Sequence, residues 1–115
     1  MSELTVYGIK ACDTCRKALK WLDEQEREYQ WHDLRADGIE AERLQRWLEE
    51  AGTDLLVNRR STTWRSLSAA ERALAEDPGQ APALLEAHPT LIKRPVFETR
   101  RGVLVGFTAA VKESL

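Results

Sequence analysis

The stretch YGIKACDTCRKALKWL, residues 7–22, decides the fold because its period changes in the middle. On its N-terminal side it completes LTVYGI, residues 4–9, a short apolar, β-prone run that reads as a buried strand ended by Gly8. From Asp13 onward, Cys15, Ala18, Leu19 and Leu22 stand at i, i+3, i+4 and i+7, one stripe of a helix. Arg16, Lys17, Lys20 and Asp23 face elsewhere. REYQWHDL, residues 27–34, then reads as a second strand. A strand, a helix and a strand in such a short span predict a right-handed βαβ unit.

RADGIE, residues 35–40, is a turn, and beyond it Leu44, Trp47, Leu48 and Ala51 repeat the helical stripe until Gly52 stops it. The middle of the chain reads as helical. Ser68 and Glu71 form a capping box ahead of RALAE, DPG at 77–79 breaks that helix, and Pro82 suits the first turn of the next. PVFETRRGVLVGF, residues 95–107, holds two β-prone runs around TRRG and reads as an antiparallel hairpin. Thr108 caps a short last helix. The order is βαβ, a helical middle, then ββα, which resembles a thioredoxin fold with helices inserted between its halves.

Composition narrows the function. A chain of 115 residues, 43% hydrophobic and 31% charged, suits one globular domain with a real core. The formal net charge of −2 argues against a general nucleic-acid binder, which usually carries a basic excess. No apolar run approaches the roughly 18 residues needed to cross a bilayer, so no membrane partner is expected. MSELTVYGIK lacks a basic leader and a long apolar segment, so no signal peptide is expected. With only two cysteines the chain is placed in a reducing cytoplasm, where a CxxC pair is more often chemical than structural.

The two cysteines are not equivalent. Cys12 falls in the strand-to-helix turn, above the first free N–H groups of the helix, which favour a thiolate; Lys10 and Arg16 act in the same direction, more weakly. A thiolate is the nucleophile in disulfide exchange and in attack on oxyanions. Cys15 lies one helical turn later and is open to two readings, a resolving thiol that closes a disulfide with Cys12 or a small hydrophobe that opens the apolar stripe. Zinc is not expected, since His32 and His88 are far apart and lack ligand spacing. Two basic loops complete the candidates: VNRRSTTW with Arg59 and Arg60, and LIKRPV with Lys93 and Arg94 ahead of Pro95. Guanidinium forks suit oxyanions and carboxylates, although such pairs usually lie on a solvated face. Local sequence gives no sign of a cis Arg94–Pro95 bond.

Five ordered stretches, YGIKACDT, HDLRADGI, STTWRSL, HPTLIKRPV and LVGF, resemble the ArsC-like branch of the thioredoxin superfamily. That branch includes glutathione-linked arsenate reductases, the Spx/MgsR regulators and the YffB-type reductases, and these stretches are most similar to the YffB type. The resemblance implies an α/β, thioredoxin-like fold with a mixed four-stranded sheet in one ArsC-like domain over 1–115. The thioredoxin-like halves would be about 1–35 and 90–115, and the helical insertion about 36–89. It implies Cys12 as nucleophile, Arg94 as the arginine of an RP motif, Pro95 as a cis-proline, and a middle-loop arginine at Arg59 or Arg60, with Arg60 preferred. Lys10, Arg94 and Pro95 would line the substrate or glutathione site. Glutathione is the implied cosubstrate and glutaredoxin an implied partner; no metal and no nucleotide is expected. Thioredoxin-like cores are often monomeric, so a monomer is the expectation.

One position departs from the pattern. Arsenate reductases of this family carry a further arginine in the last hairpin, where this chain has Gly106. A charge-assisted hydrogen bond is worth roughly 1.5–3 kcal/mol, on the order of tenfold to a hundredfold in rate. The expectation is therefore a glutathione-linked thiol, disulfide or oxyanion reductase rather than an efficient arsenate reductase. The alternative is an Spx-type redox-sensing regulator that binds RNA polymerase, favoured by the CxxC and by GTD at 52–54, which resembles an Spx segment.

Overall fold

The computed structural model describes residues 3–115. In chain order the elements are β1 (Thr5–Gly8), α1 (Asp13–Glu24), β2 (Gln30–Asp33), α2 (Ala41–Ala51), α3 (Thr53–Leu56), α4 (Thr62–Ser66), α5 (Ala69–Leu74) and α6 (Ala81–Ala87). A 3-10 turn at Pro89–Leu91, β3 (Val96–Thr99), β4 (Gly102–Val105) and α7 (Ala109–Ser114) complete it. The described residues form two compact units, residues 3–37 with 94–115, and residues 38–93.

The first unit is a mixed four-stranded sheet in the order β2-β1-β3-β4. β1 runs parallel to β2, with Val6 opposite Trp31 and Gly8 opposite Asp33. β3 runs antiparallel to both β1 and β4. This is an α/β, thioredoxin-like arrangement. Alternation along β1 and β3 sends Val6 and Phe97 to one face, where they meet Ala18 and Leu22 of α1 and Val111 of α7. Phe97, Leu4, Val6 and Leu22 are fully buried. Burying each such side chain contributes on the order of 1.5–3 kcal/mol. The stripe read from the sequence is present with one adjustment: Cys15, Ala18 and Leu22 are buried, while Leu19 packs at the edge and is only half-buried.

Local signals set most of the boundaries. Ser68 and Glu71 form the capping box of α5. Thr108 accepts from the Val111 amide and starts α7, and Pro82 lies in the first turn of α6. The strands are shorter than their apolar runs, because pairing in β1 covers only Thr5–Gly8 and in β2 only Gln30–Asp33. β3 begins at Val96, one residue after Pro95. In the second unit α2 packs on α6. Leu44, Trp47, Leu56, Leu85 and Leu91 of that unit are fully buried. Val57 bridges to Ile92, and the amides of Asn58 and Lys93 donate to Leu91 and Leu56 carbonyls at 2.7 Å.

Candidate active site

The turn from β1 into α1 brings Cys12 to the start of the helix. The Cys12 amide donates to the Ile9 carbonyl at 2.9 Å, which closes the turn. The Cys12 carbonyl accepts from the Arg16 amide at 3.0 Å and begins the helical ladder. Asp33, at the end of β2, fixes this turn from the neighbouring strand. One carboxylate oxygen accepts from the Lys10 amide at 3.0 Å, and the other accepts from the Arg35 and Ala36 amides at 2.8 and 2.9 Å. The Ala36 amide, working against some burial, then the Lys10 and Arg35 amides and the Arg35 charge, hold the Asp33 carboxyl below its ordinary range.

Cys12 is half-buried and occupies the helix N-cap with φ −79° and ψ 121°. Burial alone would push its thiol up. Four influences outweigh burial and hold it below the ordinary thiol value: the Cys15 amide, the Cys15 thiol, a hydrogen bond from Arg94 and the Arg94 charge. No capping bond of strict geometry forms at the N-cap, yet the Cys15 amide is close enough to favour the thiolate. Cys15 has the opposite character. It is fully buried, and burial foremost, with the neighbouring Cys12 sulfur, pushes its thiol up to about 12 despite the Ile9 amide and Arg94. Cys15 therefore stays a thiol at neutral pH and presents an S–H donor to Cys12.

Arg94 is the cation that acts on the Cys12 sulfur. Its guanidinium Nε is buried and the residue is half-buried. The other two cations face solvent. Arg16 is exposed and paired with Asp13, and the Lys10 side chain is exposed; what ties Lys10 to the site is its backbone amide on Asp33. The Arg94–Pro95 bond is cis, and Pro95 is buried. The Pro95 carbonyl accepts from the Gly106 amide at 2.8 Å, which joins the end of β4 to the Arg94 turn.

In the second unit, Arg59 pairs with Glu76 and, at 3.3 Å, with Asp54, and lies over the Trp64 ring at 5.5 Å. Arg72 lies over the same ring at 5.7 Å. The Arg59 charge is thus taken up by carboxylates of its own unit. Arg60 is exposed, and its amide donates to the Asn58 side chain at 3.1 Å. Lys93 is exposed. Structure brings Cys12, Cys15, Lys10, Arg94 and Pro95 together in the first unit, whereas Arg59 and Arg60 belong to the second.

Two residues of the site carried weak sequence signals. Asp33 precedes a turn and can bridge successive amides as an Asx turn, but its long-range acceptor role for Lys10 needs the β1–β2 register. Gly8 ends a strand, yet nothing local shows that Cys15 approaches it. Among the described residues no group of three His, Cys, Asp or Glu side chains could hold a metal ion. His32 tilts against Tyr7 at 4.9 Å, and His88 ends α6. No helix among the described residues is long and apolar enough to cross a membrane.

Known proteins share this architecture. The ArsC family profile matches residues 7–114. A protein of Haemophilus influenzae described as uncharacterized is 45% identical over 104 residues, 90% of each chain. The solved structure of a YFFB protein is 44% identical, covers 96% of both chains and superimposes with a TM-score of 0.89. The global transcriptional regulator Spx of Listeria innocua is 27% identical over 106 residues, 90% of this chain and 79% of that one. The profile covers most of the chain, and two of these relatives share more than 40% identity with it over nearly its whole length, so the chain belongs to the ArsC family.

Proposed function

We propose that this protein is a thiol oxidoreductase in which Cys12 is the nucleophile and glutathione the cosubstrate. The observation that carries the reading is the Cys12 sulfur, held towards thiolate by Cys15 and Arg94 at the start of α1. With a glutathione mixed disulfide, the Cys12 thiolate attacks the glutathione sulfur. A Cys12–glutathione disulfide forms, and the other thiolate leaves and takes a proton from solvent. A second glutathione thiolate then attacks the glutathione sulfur of that adduct, giving oxidised glutathione and restoring Cys12. Arg94 steadies the sulfur as its charge changes and offers a fork to a carboxylate or oxyanion. Lys10 and Pro95, which belong to the same unit as Cys12, would line the place of glutathione. Glutaredoxin is a fitting partner for removing glutathione from the adduct.

Arsenate is a poorer fit within this class. Gly106 stands where the resemblance implies a third cation, so an arsenate adduct on Cys12 has one partner fewer. The test is turnover of a glutathione mixed disulfide by the unmodified chain and by Cys12→Ser, with arsenate assayed in parallel in the presence of glutathione and glutaredoxin. Loss of turnover in Cys12→Ser, by at least about a thousandfold as expected for removal of a nucleophile, is the expected result. Full activity without Cys12 would overturn the reading.

A second reading is favoured by the similarity to the Listeria innocua regulator and by the CxxC. In it, Cys12 and Cys15 sense oxidation and the protein binds RNA polymerase. Tagged protein recovered from oxidised cells would then retain polymerase subunits, and its failure to do so removes this reading.

A further inference from the structure

Gly8 is the last residue of β1, opposite Asp33 of β2, and its carbonyl accepts from the Leu34 amide at 2.7 Å. Its backbone lies outside the positive-φ region, so no conformational demand for glycine exists there. The demand is steric. A Cβ on Gly8 would stand 2.5 Å from Cys15 Sγ and 3.0 and 3.2 Å from two ring carbons of Trp31. Non-bonded atoms of this size attract best at about 3.5–4.0 Å and repel well inside that range. Trp31 is half-buried and its ring edge can slide. Cys15 is fully buried, and its sulfur has one torsion with two usable wells in a helix. The Cys15 thiol reaches Cys12 from its present well, so a change of well moves the sulfur that donates to Cys12.

We propose that Gly8 is a positioning residue for the nucleophile: by having no side chain it leaves the space that holds the Cys15 sulfur next to Cys12. Gly8 acts on Cys12 only through Cys15. The inference rests on the reading of Cys12 as nucleophile and adds a third residue, on another element, to the pair in the CxxC.

The test is the alkylation rate of Cys12 by iodoacetamide against pH, assigned by peptide mass, with thermal unfolding measured on the same samples. The proteins are the unmodified chain, Gly8→Ala, Cys15→Ala and the double variant. Gly8→Ala is expected to move the Cys12 midpoint to higher pH. At a pH below both midpoints, the thiolate fraction then falls about tenfold for every pH unit by which the midpoint rises, and the rate about threefold, because the more basic thiolate is the better nucleophile. Cys15→Ala is expected to raise it comparably, and Gly8→Ala to add nothing once the Cys15 sulfur is gone. The double variant is also expected to recover most of the melting temperature lost in Gly8→Ala.

A midpoint unmoved by Gly8→Ala overturns the inference. An equal rise in both backgrounds does so as well, since Gly8 would then act without the sulfur. Should Gly8→Ala fail to fold, a folded double variant with the midpoint of Cys15→Ala supports the inference, and a double variant that also fails to fold overturns it. An ordinary thiol midpoint in the unmodified chain overturns the reductase reading together with this one. A depressed midpoint indifferent to Gly8 overturns this one alone.

Discussion

The Arg94 turn and the Arg59–Arg60 loop look alike as text, each a pair of adjacent cations in a polar stretch, and the fold uses them differently. Arg94 directs its charge at a sulfur. Arg59 directs its charge at Asp54 and Glu76 and spreads its plane over Trp64, so it supports its own unit. A guanidinium becomes available to chemistry or to architecture according to which acceptor lies within reach, and that acceptor is set by the fold rather than by neighbours in the chain.

The sharpest way to break this contrast is Arg94→Ala. Losing one charge-assisted hydrogen bond and its Coulomb partner should lower turnover of a glutathione mixed disulfide about tenfold to a hundredfold. The Cys12 midpoint should move to higher pH in alkylation, and Arg94→Lys should restore part of it. If the midpoint stays put, Arg94 is not the cation that acts on the sulfur.

The pH dependence of stability gives a second contrast. Cys12 is held below the thiol value of an unfolded chain, about 8.5. Between its folded value and about 8.5 the unfolded state binds the extra proton, so stability rises with pH, and it is lost as pH falls through the folded value. Cys15, pushed up to about 12, works the other way. Its contribution is full below about 8.5 and is lost as pH rises from there towards about 12, since the native state now holds the extra proton. Denaturant titrations across this range should show the rising limb vanish in Cys12→Ser and the falling limb flatten in Cys15→Ala.

Arg59→Ala should lower unfolding stability by on the order of 1 kcal/mol, since its ion pairs are partly exposed and its ring contact adds modestly. It should leave the alkylation midpoint of Cys12 unmoved; a change would break the division of labour between the two loops. Arg60→Ala is expected to have the smallest effect, an unchanged melting temperature, since Arg60 is exposed. A melting temperature lowered by several degrees would give Arg60 a structural part in its own unit.

Much of this fold was legible because its signals are local. The change of period at Asp13, the Ser68–Glu71 capping box, the Thr108 cap and the hairpin around TRRG each need only a few consecutive residues to be read. The asymmetry of the cysteines was half legible, since the stripe marked Cys15 as a core position while the turn marked Cys12. What escaped depends on residues distant in the chain. The short helices α3 and α4 are single turns with little periodicity to detect. The Arg59–Glu76 pair spans 17 residues, and the Asp33–Lys10 bond spans 23. Arg94 reaches Cys12 only because β3 pairs with β1.

Gly106 has φ of 84°, a conformation that side chains bearing a Cβ rarely adopt and that costs on the order of 1–3 kcal/mol when they do. Its amide also carries the hydrogen bond that joins β4 to the Arg94 turn. An engineer wishing to add a cation at the end of this hairpin could not simply write an arginine at that position. The backbone would resist the new residue at the same point that braces the existing cation, so a gain in charge would risk the placement of Arg94. Acquiring a further cation there would take a rebuilt hairpin end, several coordinated changes rather than one, so the charge this hairpin can carry is set by its backbone as much as by its side chains.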